Sequence, residues 1–168
     1  MTSFDLRQLK LRTGEQFHES RDVELEPLVL GGQEYVPDAT VPAELTITKA
    51  STGMLFEIAF HVHLEGPCFR CLADASIDLD VDAREYQATN PGDDEEFRSP
   101  YVAENRLDLS RWAQDALVLA LPDKILHSPD CAGLCAVCGV DLNIEPHTHD
   151  ELAADPRWAA LEDLRGQL

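Results

Sequence analysis

Three runs of strict alternation between apolar and polar side chains lie between residues 41 and 83, and they constrain the fold more than any other feature of the sequence. The longest run places six apolar residues on one face, namely Met54, Phe56, Ile58, Phe60, Val62 and Leu64. The flanking runs, at 41–48 and 76–83, alternate in the same way. Period-two patterning of this quality predicts antiparallel strands with one face on a core and the other in water. A less regular strand is expected around 23–30.

An amphipathic helix is predicted after these strands. Apolar residues recur at three- and four-residue spacing from position 109 to position 121, which is typical of a helix packed on a core. Asp108 can cap its start and Pro122 limits its end. A second, short helix that docks on the core is predicted from Pro156. The sequence therefore predicts an α+β fold, a curled antiparallel sheet with a packed amphipathic helix and a C-terminal zinc-knuckle-like segment.

The chain has 168 residues, which favours a single domain over 1–168, with 131–168 as a C-terminal Cys-rich loop plus the short helix. Residues 88–100 form an acidic loop punctuated by Pro and Gly. No signal peptide or membrane-spanning run is recognised. These observations predict a cytoplasmic protein whose thiols stay reduced.

Five cysteines are present, and four of them form two Cys-x-x-Cys pairs, Cys68 with Cys71 and Cys135 with Cys138. An odd number of thiols in a reducing compartment indicates metal binding or redox chemistry rather than a disulfide framework. Two such turns that face each other would form a tetrahedral zinc site with four cysteine ligands. A closed site of this kind leaves no position for a reacting water, so its Zn²⁺ would be structural.

Other ligand sets and another function remain open. Cys131 could replace one member of the quartet or bind together with His127, although a free thiol in a turn is slightly preferred for Cys131. The pairs His61/His63 and His147/His149 could each hold a metal, but neither has an obvious third ligand nearby, which favours solvated side chains. Thiol–disulfide exchange at either Cys-x-x-Cys pair is the alternative function, although the parallel βαβ context of thioredoxin-like proteins is missing.

The formal net charge of −19 is spread evenly along the chain. Such a field repels phosphate backbones, so direct and unassisted binding to RNA is disfavoured and a basic partner is favoured. The alternative interpretation is that the acidic charge only keeps the protein soluble. Direct rRNA recognition would need a basic patch, to which five arginines could contribute, namely Arg70, Arg84, Arg98, Arg106 and Arg111.

An ordered set of short segments resembles the YceD family, the large ribosomal RNA subunit accumulation proteins. The segments are 4–6 (FDL), 68–72 (CFRCL), 119–122 (LALP), 131–139 (CAGLCAVCG), 141–143 (DLN) and 155–158 (DPRW). The resemblance implies a role in the synthesis, processing or stability of 23S rRNA and hence in large-subunit assembly. It implies no known enzymatic reaction.

The resemblance also bears on the ligands. Cys68 and Cys71 match the first cysteine pair of the family, and Cys135 and Cys138 match the second. Some members lack the second pair but keep a cysteine at the position of Cys131, and His127 stands where other members often have cysteine. The resemblance thus implies a rival site built from Cys68, Cys71, His127 and Cys131. The expected function is that of a non-catalytic ribosome biogenesis factor that binds a basic ribosomal protein or a large-subunit precursor.

Overall fold

The structure, a computed structural model, describes residues 2–90 and 97–149. Within these ranges the protein is mostly antiparallel sheet with one α-helix, which confirms the α+β class. The predicted C-terminal helix from Pro156 and the centre of the acidic loop lie outside the described residues.

The described elements follow one another with short connections. The strands are β1 (Ser3–Asp5), β2 (Gln16–Glu24), β3 (Leu28–Leu30), β4 (Gln33–Pro37), β5 (Thr40–Lys49), β6 (Gly53–Pro67), β7 (Asp74–Ala88), β8 (Val102–Ala103) and β9 (Arg106–Asp108). One turn of 3-10 helix spans Leu6–Gln8, and α1 spans Leu109–Ala120.

Strand β6 organises the larger sheet. It pairs along its whole length with β7, from Gly53 opposite Ala88 to Pro67 opposite Asp74. Its other edge pairs first with β5 and then with β4, while β2 lies outside β5 and β3 outside β4. All these pairings are antiparallel, and the three alternating runs of the sequence are confirmed as β5, β6 and β7. Strands β1, β9 and β8 form a separate small sheet.

The prediction of a single strand around 23–30 is wrong, because this part of the chain belongs to two strands. Strand β2 ends at Glu24 and β3 begins at Leu28. Between them the chain leaves β5 and moves to β4, and the Leu25 amide bonds to the Ala39 carbonyl. Pro27 has no N–H to continue a ladder, so the break falls where the sequence removes a donor.

The core lies between the larger sheet and α1. The inward residues Phe56, Ile58, Phe60, Val62 and Leu64 of β6 are all buried, as the alternation predicts. The helix packs against β7 and β2 and buries five of its apolar residues, Leu109, Trp112, Ala113, Ala116 and Leu117.

Both helix ends follow from the sequence. The carboxylate of Asp108 accepts a hydrogen bond from the Arg111 amide at 3.1 Å, which confirms the predicted cap. The helix ends at Ala120, one residue before the apolar spacing does. Leu121 adopts extended angles (φ −65°, ψ 139°), because a residue that precedes proline is disfavoured in the helical region. In the part of the chain that the structure describes, no helix is long and apolar enough to cross a bilayer.

Candidate metal centres

The first Cys-x-x-Cys pair lies in the connection between β6 and β7, which we call the first Cys turn (residues 68–73). The Cys68 amide donates to the Ala73 carbonyl at 2.7 Å, and the Leu72 amide donates to the Cys68 carbonyl at 3.0 Å. Leu72 has a φ of +63°. A left-handed conformation costs a residue with a Cβ roughly 1–2 kcal/mol, so the rest of the turn must hold Leu72 there.

The second pair forms the same backbone structure, which we call the second Cys turn (residues 135–140). The Cys135 amide donates to the Val140 carbonyl at 2.8 Å, and the Gly139 amide donates to the Cys135 carbonyl at 2.8 Å. Gly139 has a φ of +76°, a left-handed conformation that glycine adopts without steric cost. Each turn therefore contains the same two hydrogen bonds and the same left-handed residue directly after its second cysteine.

The first Cys turn meets the chain that follows α1. Cys68, Cys71, His127 and Cys131, which we call the buried cluster, place their ligand atoms within 4.8 Å of one another. The two sulfur atoms of Cys68 and Cys131 lie 3.7 Å apart, and Nδ1 of His127 lies 3.3 Å from the Cys71 sulfur. The three thiols are buried, at 0%, 7% and 2% exposure for Cys68, Cys71 and Cys131.

Backbone contacts hold the two chain segments of the buried cluster together. The Phe69 amide donates to the Ile125 carbonyl at 2.8 Å, and the Leu134 amide donates to the Arg70 carbonyl at 3.2 Å. The Arg70 guanidinium donates to the Cys131 carbonyl at 2.7 Å. Thiols that are far apart in the sequence therefore do lie together, because Cys131 meets Cys68 and Cys71.

A second cluster lies on the surface. Cys135, Cys138, His147 and His149, which we call the exposed cluster, also place their ligand atoms within 4.8 Å of one another. The Cys138 sulfur lies 3.1 Å from Nε2 of His147 and 3.4 Å from Nε2 of His149. Cys135 and His147 are half-buried, and the other two residues are exposed.

The predicted quartet of Cys68, Cys71, Cys135 and Cys138 is thus divided between two clusters. The first pair meets His127 and Cys131, the alternative ligands. The second pair meets the two histidines that were interpreted as solvated. The physical reason is local: Leu134 bridges to Asp141, so the second Cys turn folds onto the residues that follow it. The close succession of a Cys-x-x-Cys-Gly turn and a His-x-His pair was the available signal.

The environment of the buried cluster favours the ionised form of one thiol and the protonated form of another. Burial opposes ionisation of Cys68, but hydrogen bonds from His127 and from backbone amides of the turn outweigh it and lower the pKa of this thiol to about 5. The Ala73 amide favours the thiolate of Cys71, but burial and the neighbouring sulfur atoms raise its pKa to about 11. Without a cation, the charge of one thiolate in so small a buried space therefore keeps its neighbour Cys71 protonated. A divalent metal ion fits this donor set, because it would compensate the charge of the coordinating thiolates.

The exposed cluster also favours a thiolate. Hydrogen bonds from the backbone amides of Cys138 and Val137, with side-chain contacts to Cys138 and His147, lower the pKa of Cys135 to about 6. The pKa of His147 is raised, first by its hydrogen bond to the Glu145 carbonyl and then by Cys135. A set of four thiolate and imidazole ligands suits Zn²⁺ and leaves no coordination position for a substrate. Either cluster could therefore hold a metal ion in a structural role.

The remaining predicted histidine pair faces carboxylates. His61 and His63 lie on the outer face of β6, and their Nδ1 atoms lie 2.9 Å and 2.8 Å from Asp80 and Asp78 of β7. These hydrogen bonds raise the pKa of both histidines.

Comparison with known proteins covers the region that contains both clusters. A sequence model of the family "Large ribosomal RNA subunit accumulation protein YceD" matches residues 56–165. Uncharacterized proteins of Mycobacterium bovis and Mycobacterium tuberculosis are 32% identical over 169 residues, which is 96% of this chain and 80% of theirs. One of Mycobacterium leprae is 30% identical over 132 residues, 75% of this chain and 59% of its own. No solved structure matches. The chain therefore belongs to the YceD family of large ribosomal RNA subunit accumulation proteins.

Proposed function

We propose that this protein is a non-catalytic factor in the biogenesis of the large ribosomal subunit, which supports the synthesis, processing or stability of 23S rRNA. This proposal rests on membership in the YceD family, whose members are described as large ribosomal RNA subunit accumulation proteins. The two ligand clusters are consistent with it, since four protein ligands around an ion would leave no coordination position for a substrate. The proposed role places the protein in the cytoplasm.

The buried cluster is the proposed structural zinc site, with Cys68, Cys71, Cys131 and His127 as ligands. Three of these four ligands are thiols, and all three are buried. An ion held there would join the β6–β7 connection to the segment that follows α1, which lies 63 positions further along the chain at Cys131. Zn²⁺ is the ion proposed, because thiolate and imidazole donors in a closed set of four are its preferred structural ligands.

The outer face of the larger sheet supports a basic partner. It presents an acidic sheet face, made of Glu44, Glu65, Asp78, Asp80 and Asp82, all exposed. Together with the net charge of −19, this surface favours a basic ribosomal protein or a protein-coated large-subunit precursor. Three of the five arginines considered for an RNA-binding patch make separate contacts: Arg70 with the Cys131 carbonyl, Arg84 with Glu57 and Arg111 with the Pro100 carbonyl.

The redox alternative receives no support from the geometry of the first cysteine pair, and at the second pair two imidazole nitrogens lie within 3.4 Å of the Cys138 sulfur, as metal ligands would. A redox pair needs an accessible, low-pKa thiolate that can attack a disulfide. Cys68 has the lowered pKa but is 0% exposed, and Cys131 and His127 lie against the pair.

Depletion of the protein in its host tests the role. We expect the ratio of 23S to 16S rRNA to fall and the large-subunit peak in a sucrose gradient to shrink. The wild-type gene should restore both, while Cys131→Ser should restore them incompletely because it removes a buried ligand. His18→Gln, an exposed histidine of β2 outside both clusters, serves as the control that should restore both. Unchanged rRNA and subunit profiles after depletion would refute the proposed function.

A separate experiment tests the partner. Affinity capture at low salt should recover basic large-subunit proteins, and the yield should fall as salt screens the charges. Neutralising Asp78, Asp80 and Asp82 to asparagine should reduce the yield. A control with equal charge loss elsewhere, Glu26→Gln, Glu104→Gln and Asp123→Asn, should reduce it less. Capture of acidic proteins only, or capture indifferent to salt, would contradict the proposed partner.

A further inference from the structure

We propose that the exposed cluster of Cys135, Cys138, His147 and His149 is a second zinc site, separate from the buried cluster, and that its ion exchanges with solution while the buried ion stays bound. This inference does not depend on the ribosomal role. It assigns the second cysteine pair a metal of its own, with the two histidines as the remaining ligands.

The backbone is the first observation. The second Cys turn repeats both hydrogen bonds of the first, from the cysteine amide to the carbonyl five residues on, and from the amide four residues on back to the cysteine carbonyl. It also repeats the left-handed residue, with Gly139 at φ +76° where the first turn has Leu72 at +63°. Two turns with one geometry present their sulfur atoms in the same way, so an ion that suits one suits the other.

The orientation of His147 is the second observation. Its Nδ1 lies 2.8 Å from the Glu145 carbonyl oxygen, which can only accept a hydrogen bond. Nδ1 therefore carries the proton, and Nε2 is left to face Cys138 and His149 at 3.1 Å each. Histidines that bind metals are typically fixed in this manner, with one ring nitrogen donating to a carbonyl and the other free to coordinate.

The path of the chain is the third observation. The Leu142 amide donates to the Gly133 carbonyl at 2.9 Å, and the Glu145 amide donates to the Asp141 carbonyl at 3.0 Å. These bonds turn the chain back after the second Cys turn, so that residues 147 and 149 reach Cys138. The ligands thus come from one short local unit, which can open and close without disturbing the larger sheet.

Burial distinguishes the two sites. Cys68 and Cys131 are 0% and 2% exposed, whereas Cys138 and His149 are open to solvent. A chelator can approach the exposed ligands directly, but it can reach the buried thiols only after the segment beyond α1 moves away. The exposed site also has one thiolate fewer than the buried one. Both differences make its ion the first to leave.

Zinc stoichiometry and release from the full-length protein test the proposal. Protein loaded with Zn²⁺ should contain two equivalents and should lose them to a chelator in two phases, one fast and one slow. Cys138→Ser should remove the fast equivalent and keep the slow one. Cys71→Ser should remove the slow equivalent, and if that variant does not fold, the double variant His147→Gln/His149→Gln still tests the exposed site, since both side chains lie at the surface.

Substitution with Co²⁺ supplies a readout that does not depend on release rates. The wild-type protein should show two tetrahedral sites, and the thiolate charge-transfer absorption per Co²⁺ should be stronger in Cys138→Ser, which keeps only the site rich in sulfur. His18→Gln is the control that should keep both ions and both phases. One equivalent in the wild-type protein, a single release phase for two ions, or full retention of both ions in Cys138→Ser would overturn the proposal.

Discussion

Replacing Cys131 with serine tests the proposed structural role of the buried zinc ion. Cys131 is 2% exposed, its sulfur lies 3.7 Å from that of Cys68, and it accepts a hydrogen bond from the Asn143 side-chain amide at 3.6 Å. Serine keeps the shape and the hydrogen bond but is a poor ligand for zinc. The substitution therefore removes the ion with little other change to the packing.

The size of the effect follows from the binding free energy that the ion contributes to the folded state. Cys68 and Cys131 are 63 positions apart, so the unfolded chain would have to close a long loop to bind the ion, and the ion binds the folded chain far better. An ion present at roughly a thousand times its Kd then stabilises the folded state by about 4 kcal/mol. For a chain of this size, 1 kcal/mol shifts the melting temperature by roughly 2–4 °C. Cys131→Ser should therefore melt about 8–16 °C below the wild-type protein in the presence of zinc.

Thermal unfolding followed by circular dichroism, with and without a strong chelator, isolates the contribution of the metal. A hydroxyl in place of a buried thiol has a cost of its own, on the order of 1 kcal/mol. That cost is present in both conditions, so only the difference between conditions belongs to the ion. We expect the gap between wild type and Cys131→Ser to shrink to a few degrees in chelator. A gap of equal size in both conditions would refute the reasoning, because the cysteine would then act through packing alone.

Three further changes have expected outcomes. Gly66→Ala should destabilise the protein by roughly 1–3 kcal/mol in urea unfolding, because a Cβ there would overlap the buried Tyr35 ring; an unchanged midpoint would contradict this close approach. Gly139→Ala should weaken zinc binding at the exposed cluster roughly 5- to 30-fold in chelator competition. The added methyl group has open space, but the left-handed backbone at this position costs alanine about 1–2 kcal/mol. Unaltered affinity would contradict a role of the second Cys turn in holding the ion. Aspartate partners raise the pKa values of His61 and His63 above 6.5, so these ion pairs stabilise the fold fully just below pH 6.5 and lose this contribution as the pH rises through the raised values. The double variant His61→Gln/His63→Gln should therefore be less stable than wild type below pH 6.5 and equally stable at alkaline pH. A stability difference that does not depend on pH would exclude this linkage.

The sequence predicts the sheet and the helix well because both follow from local patterns. Alternation along residues 41–83 determines which face of β5, β6 and β7 is buried, and the cap at Asp108 needs only its own first turn. The small sheet was not predicted, since β1 and β8 have three and two residues and carry no recognisable period. Its β1 strand pairs with β9, far along the chain, which no local pattern indicates.

The pairing of the ligands depends on tertiary contacts, and spacing alone cannot decide it. Two Cys-x-x-Cys turns are equally compatible with one shared ion or with two separate ions. The outcome depends on whether the second Cys turn folds back on its own chain, which the Leu134–Asp141 bridge and the bond from the Ala132 amide to the Asn143 side chain achieve. The resemblance to the YceD family supplied the rival set with His127 and Cys131, and the structure brings those residues together.

The most direct test of the central claim is the zinc content and zinc X-ray absorption of the Cys138→Ser variant. If the buried cluster is a site of its own, this variant retains one zinc ion with three sulfur ligands at about 2.3 Å and one imidazole nitrogen at about 2.0–2.1 Å. If Cys68 and Cys71 instead share an ion with the second cysteine pair, the same substitution removes a ligand of that ion and the zinc is lost. Retention with that ligand set is what the geometry predicts, and loss of the ion would contradict it.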